Sequence, residues 1–197
     1  MEDREETHPV EAADVFARGR LSAKRYGHTL RVAKTAVALA QAHGIDPERV
    51  RLAALLHDAA REMKPEEFLE LAERWDLPVG DAERESPKLL HGPVAAEMAR
   101  RELGVEDEVV LDAIRQHTLG QPGMGPLSLA LFVADKIEPA RDYPSVERLR
   151  RLACEDLRGT AAESLRRSIA HNEARGRPTH PASVETLAWL EKTEDGP

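Results

Sequence analysis

Six residues of this chain could do chemistry together: His28, His57, Asp58, His91, His117 and Asp135. They offer four imidazoles and two carboxylates. That set meets the needs of a two-metal centre in which one carboxylate bridges and water fills the open positions. Nitrogen-rich, thiolate-free ligation suits iron, manganese or zinc better than magnesium. The adjacent pair His57-Asp58 closes the apolar run "RLAALLHDAAREM". Alone it means little, because eight His and twelve Asp in 197 residues produce roughly 0.5 such pairs by chance. What matters is whether other segments aim their polar groups at the same place.

The segments that must do so read as helices. Ser22 caps one that runs to Gly44, and Asp46-Pro47 opens the next. Pro65 starts "PEEFLELAERW". Ser86-Pro87 begins a short turn that reaches His91, and Gly92-Pro93 starts a helix ending at Gly104. Asp107 caps "EVVLDAIRQH", "LSLALFVADKI" is closed by Pro139, and Pro144 opens a helix through about Cys154. Further helices are expected over about 155–174 and 181–190. Strand signals are nearly absent, so the fold class is all-α: a single helical bundle of about eight to ten helices. Segment 1–21 is expected to be helical and part of the same domain, 22–154 to be its core, and 155–197 to add helices packing on that core.

Residues three, four and seven apart share a helix face. His28 lines up with Val32, Ala36 and Leu39; His57 with Val50, Ala53 and Ala54. His117 continues Val110, Ala113 and Ile114, and Asp135 continues Ser128 and Leu131. Each polar group therefore ends an apolar stripe, and Asp58 points about 100° away from His57 around a helix. A lone buried histidine is more often a hydrogen-bonded core residue than a ligand. Two buried carboxylates are harder to dismiss, since each needs a counter-charge or a metal. Cations and metals both remain open at this point. His8, His43, His171 and His180 lie in loops, at a helix end or on a charged helix, and are not expected to join the set.

Composition narrows the function classes. The formal charge is −8, which argues against a nucleic-acid-coating protein. No apolar run is long enough for a membrane span, and the acidic start "MEDREETHPV" is no signal peptide. Cys154 is the single cysteine, so neither an internal disulfide nor a cysteine-based zinc site is expected. Cys154 reads as a small buried residue, and the location as cytoplasmic. Expected partners are small nucleotides, with a homodimer left open.

The order H…HD…H…H…D resembles the HD superfamily of metal-dependent phosphohydrolases. "RYGHTLRVAKTAVALAQAHGID", "AALLHDAAR", "HGPVAA", "AIRQHT" and "LFVADKIEPARDYPSVERLR" are together similar to its symmetrical bis(5′-nucleosyl)-tetraphosphatase branch, the YqeK-like proteins. Coverage runs from about Ser22 to Arg151, with a weaker echo in "GRPTHPASVETLAWL". The resemblance implies hydrolysis of diadenosine tetraphosphate to two ADP at a di-metal centre, usually iron. It implies His28, His57 and Asp135 on one metal, His91 and His117 on the other, and Asp58 between them. One departure stands out: after "HDxA" the family usually has Lys, and here Arg61 follows.

Asp58, Arg61, Lys136 and Arg141 are the expected catalytic residues. Arg25, Arg61, Thr118, Lys136 and Arg141 are the expected substrate contacts. Arg25 and Arg61 stand one turn from His28 and His57, and Lys136 and Arg141 flank "IEPA". The loop 119–126, rich in Gly and Pro, either lines or gates the cleft or merely connects two helices. No G-x-x-x-x-G-K-[S/T] phosphate loop occurs. Two other readings stay in play: an HD phosphohydrolase acting on nucleoside mono-, di- or triphosphates, and a non-catalytic nucleotide-sensing module. That all six ligand positions are filled argues against the last.

Overall fold

In the computed structural model, which describes residues 8–192, the chain folds into eleven α-helices and has no strand among the described residues. They are α1 (Pro9–Arg20), α2 (Ala23–Ala42), α3 (Pro47–Leu56), α4 (Pro65–Arg74), α5 (Asp81–Glu85), α6 (His91–Leu103), α7 (Glu108–Gln116), α8 (Pro126–Ile137), α9 (Val146–Ala153), α10 (Leu157–Glu173) and α11 (Pro181–Glu191). The all-α expectation holds. The count exceeds eight to ten partly because α5, at five residues, is too short to show an apolar period. Of segment 1–21, residues 1–7 lie outside the described part, and α1 forms the rest.

Helix ends follow local capping chemistry. The Ser22 hydroxyl accepts from the Arg25 amide at 3.3 Å, and Asp46 accepts from the amides of Glu48 and Arg49. Asp107 caps α7 through the Val109 amide, 3.0 Å away. The same carboxylate receives a two-pronged bond from Arg49, both contacts at 2.6 Å, which ties the start of α3 to the start of α7. Gly104 ends α6 in the left-handed conformation, φ 67°.

At the centre runs α8. Leu127 through Asp135 are all buried, as is Ile137, and a helix apolar on every side belongs inside a core. Helices α2, α3, α7, α9 and α10 pack around it. α6 backs α7, α1 leans on α3, and α11 lies on α10. Alanines dominate the closest approaches, with Ala53, Ala54, Ala130 and Ala134 fully buried. Small side chains let helix axes close up, and that brings groups on different helices within bonding range.

Three local readings need correction. α3 stops at Leu56, and His57 and Asp58 sit in tight turns beyond it, closed by Ala59 N–H to Leu56 O (3.0 Å) and Arg61 N–H to Asp58 O (2.8 Å). His91 is the first residue of α6, because a 3-10 turn at Pro87–Leu90 runs directly into that helix. Cys154 is exposed, not buried: it caps the end of α9 with its thiol 3.5 Å from the Arg150 carbonyl.

Candidate metal centre

Five elements deliver six side chains to one point. His28 comes from α2, His57 and Asp58 from the turn after α3, His91 from the start of α6, His117 from the end of α7 and Asp135 from α8. All six are buried.

The imidazoles are fixed from behind. His57 Nδ1–H donates to Ala54 O at 2.6 Å, His91 to Lys88 O at 2.7 Å and His117 to Ile114 O at 2.7 Å. A carbonyl only accepts, so each of these rings carries its proton on Nδ1 and turns a bare Nε2 inward. His28 Nδ1 faces the Glu138 carboxylate at 3.1 Å with the same consequence. The Nε2 atoms of His28 and His57 are buried without any hydrogen-bond partner. Those of His91 and His117 lie 3.0 Å apart, and the Thr118 hydroxyl stands 3.1 and 3.0 Å from them. One hydroxyl proton serves only one of two lone pairs. Four inward imidazole nitrogens with at most one donor among them fit a cation.

Asp58 divides this set. Its Oδ2 faces His28 Nε2 (3.8 Å) and His57 Nε2 (3.5 Å), while its Oδ1 faces His91 Nε2 (3.5 Å) and His117 Nε2 (3.9 Å). Two ligand groups result, His28–His57–Asp58 and Asp58–His91–His117. Asp135 joins the first, with Oδ1 at 3.1 Å from His28 Nε2.

The electrostatics agree with the geometry. Burial alone would raise the Asp58 carboxyl, but His57, His117, His91 and Arg25 outweigh it and hold the group well below the usual carboxylate range. Asp135 is also lowered against its own burial, by Lys136 first and then by the neighbouring His28, His57 and Arg141. Burial, reinforced by the Arg61 charge, pushes His91 down to about 4. His117 is driven well below its ordinary value by burial and by its neighbours His57 and His91.

Cations do reach both acids. Arg25 Nη1 is 3.0 Å from Asp58 Oδ2; Arg141 Nη2 and Lys136 Nζ are 2.7 and 3.0 Å from Asp135. They account for carboxylate charge but not for the bare imidazole nitrogens. Arg61 behaves differently from its expected register beside His57. The turns after Leu56 swing it towards His91, whose Nδ1 lies 3.3 Å from Nη1, and it forms no ion pair among the described residues.

Two important residues escaped the sequence reading. Glu138 is buried, with Oε2 fixed by Arg31 Nε (2.7 Å) and the Ala140 amide (2.8 Å), so Oε1 is held against His28. The only hint was an acid inside "DKIEPAR". Gly92 is the second. A Cβ there would stand 2.9 Å from Arg115 O and 3.0 Å from Ile114 O, so only glycine allows α6 this close to α7 and His91 this close to His117.

The other histidines stay away from the centre: His43 Nε2 bonds Ala153 O, His180 bonds Glu83, and His8 and His171 are exposed. Beside the centre lies a cavity of about 520 Å³ that Thr118, Leu119 and Lys136 help to line. Of the loop 119–126 only Leu119 reaches it. Gly120 instead packs against Thr186 of α11 with φ 74°, where a side chain would collide, so this loop is anchored to the C-terminal helix.

With this geometry in view, the relatives are informative. A family model described as the HD domain matches residues 25–140. The symmetrical bis(5′-nucleosyl)-tetraphosphatase of Bacillus subtilis is 37% identical over 91% of this chain and 96% of its own length. Its namesake from Halalkalibacterium halodurans is 40% identical, covering 86% and 90%. A crystal structure from Clostridium acetobutylicum, described as a predicted HD superfamily hydrolase involved in NAD metabolism, superposes with a TM-score of 0.88 at 34% identity, covering 91% of this chain and 95% of that one. By both measures, the chain belongs to the HD-domain family and, within it, to the branch of the symmetrical bis(5′-nucleosyl)-tetraphosphatases.

Proposed function

We propose that this chain is a metal-dependent hydrolase that splits diadenosine tetraphosphate at its centre into two ADP. The observation that carries the reading is the division of Asp58, one oxygen toward His28 and His57, the other toward His91 and His117. His28, His57 and Asp135 would hold one divalent transition metal, His91 and His117 a second, with Asp58 shared. The donor set favours iron, manganese or zinc over magnesium, and the family resemblance points to iron among them. Two such cations supply charge for the phosphoryl oxygens and acidify the attacking water near neutral pH.

The chain's own groups do the rest. Water adds to one inner phosphorus, and the P–O bond linking the two inner phosphates breaks, leaving ADP on both sides. ADP is a weakly basic leaving group, so no strong general acid is required, and the released proton goes to solvent. Arg61, without a carboxylate partner among the described residues, is the natural anchor for a phosphoryl oxygen. Arg25, Lys136 and Arg141 line the acids and screen the negative charge of the incoming polyphosphate. The Thr118 hydroxyl, at the mouth of the His91–His117 pair, can donate to a phosphate oxygen. The proposal includes a cytoplasmic location.

Product analysis tests it. Metal-loaded protein given diadenosine tetraphosphate should yield ADP alone. AMP with ATP would defeat central cleavage, and phosphate release from mononucleotides without dinucleotide cleavage would select the simpler nucleotidase. Asp58→Ala should lose metal and activity together.

A further inference from the structure

Two cavities open beside the metal centre and share a wall. The first, about 520 Å³, is walled by Phe132, Leu165 and Ile169. The second, about 550 Å³, is walled by Tyr143, Ser164, Arg167 and His171. Lys136, Ser168 and Asn172 border both. Along α10, positions 165, 169 and 172 follow one stripe and 164, 167 and 171 the next, with 168 between them. α10 is therefore a ridge with one cavity on each flank. Lys136, which borders both cavities, reaches the metal centre as well, its Nζ 3.0 Å from Asp135.

The two differ in chemistry. The first sets the apolar side chains of Phe132, Leu165 and Ile169, which suit the faces of a flat ring, among polar and charged groups such as Asp81, Glu85, Arg177 and His180. The second offers the Tyr143 ring, with the Arg167 guanidinium 5.4 Å from its centroid. That guanidinium is fixed by the Ser145 hydroxyl (2.8 Å) and the Pro144 carbonyl (2.6 Å), so it is set in place before any ligand arrives. Ser164, another residue of this wall, adds an independent sign: its hydroxyl is buried with no hydrogen-bond partner among the described residues. An unpaired buried hydroxyl is costly, and turning it toward a ligand atom in the cavity would remove that cost.

We propose that the two cavities receive the two nucleoside ends of one dinucleoside polyphosphate, with the phosphate chain crossing the α10 ridge past Lys136. This rests on the hydrolytic reading of the metal centre given above. Similar volumes on either flank match a substrate with two equal ends. Since α10 lies beyond the residues matched to the HD domain, recognition of a second nucleoside would come from the C-terminal helices, not the shared core. A mononucleotide would fill only one flank.

Equilibrium dialysis of ADP, the product, against metal-loaded enzyme tests this directly. The wild type should bind two ADP per chain. Tyr143→Ala removes the stacking ring, and His171→Glu introduces a negative charge at an exposed position where folding is not at stake. Either should reduce stoichiometry to one at ADP concentrations that saturate the remaining site, and raise KM for diadenosine tetraphosphate about tenfold. One ADP per chain in the wild type, or two retained tightly in both variants, would overturn the proposal. Absence of dinucleotide cleavage by the wild type would instead overturn the hydrolytic reading, and the ADP count would still report on the cavities.

Discussion

His28 and Glu138 form the one imidazole–carboxylate pair behind the metal centre: Nδ1 lies 3.1 Å from Oε1, whereas the other three imidazoles donate to main-chain carbonyls. A carboxylate partner makes the ring a stronger base and a better donor to a cation. The two halves of the centre are therefore chemically unequal, with the His28 half the more electron-rich.

Glu138→Gln keeps the shape but gives up that charge. Metal affinity of one of the two sites should fall about 10- to 100-fold, read as one metal lost per chain during titration with a chelator. Loss of both metals together, or of neither, would contradict an unequal centre.

Gly92→Ala places a methyl group against two carbonyl oxygens of α7. The helices must part, at a cost of about 1–3 kcal/mol for an overpacked contact, and His91 moves off His117. Thermal unfolding should show a lower Tm, and the rise in Tm that added metal gives the wild type should largely vanish. A variant with the wild-type metal response would show that α6 and α7 can shift without disturbing the histidines.

The metal-free protein should be acid-sensitive in a defined window. His91 has its folded pKa pushed down to about 4 from an ordinary 6.5, and His117 is shifted the same way. Between those values the unfolded chain binds more protons than the folded one, so stability falls as pH drops from about 6.5 to about 4. Each such proton contributes a slope of about 1.4 kcal/mol per pH unit. Chemical denaturation of chelator-treated protein across this range checks it; a flat profile would mean that these rings are already protonated when folded.

Arg61 is the one departure from the pattern that the family resemblance leads one to expect, lysine after "HDxA". If its charge serves the phosphate, Arg61→Lys should keep kcat/KM within about threefold, while Arg61→Ala should lose about tenfold or more at unchanged metal content. Metal loss in the alanine variant would assign the residue to His91 instead.

Legibility in the sequence tracked the range of each interaction. Caps at Ser22, Asp46 and Asp107 were readable because donor and acceptor lie within three residues of each other. The end-of-stripe positions of His28, His117 and Asp135 were readable because helical periodicity is local too, and the folded chain does bring these side chains together with His57, Asp58 and His91. Glu138 was not, since its partner His28 is 110 residues away and no period links them. The register of Arg61 is not legible because nothing in the sequence marks the end of α3 at Leu56, and tight turns rotate everything beyond. The role of Gly92 depends on a neighbouring helix backbone, which no single segment encodes. The second cavity, with its walls drawn from α8, α10 and the 143–144 loop, was equally invisible.

Finally, α8 carries Asp135 on a helix buried from every side, with five other helices against it. Its amides can meet solvent only when the whole core opens, so their hydrogen exchange should require the full free energy of unfolding. The position of Asp135 thus inherits the cooperativity of the entire fold. Since α10 is itself one of those five helices, movement that admits a nucleotide without opening the core falls to α11 and the loop before it, which rest on α10 and leave the metal centre still.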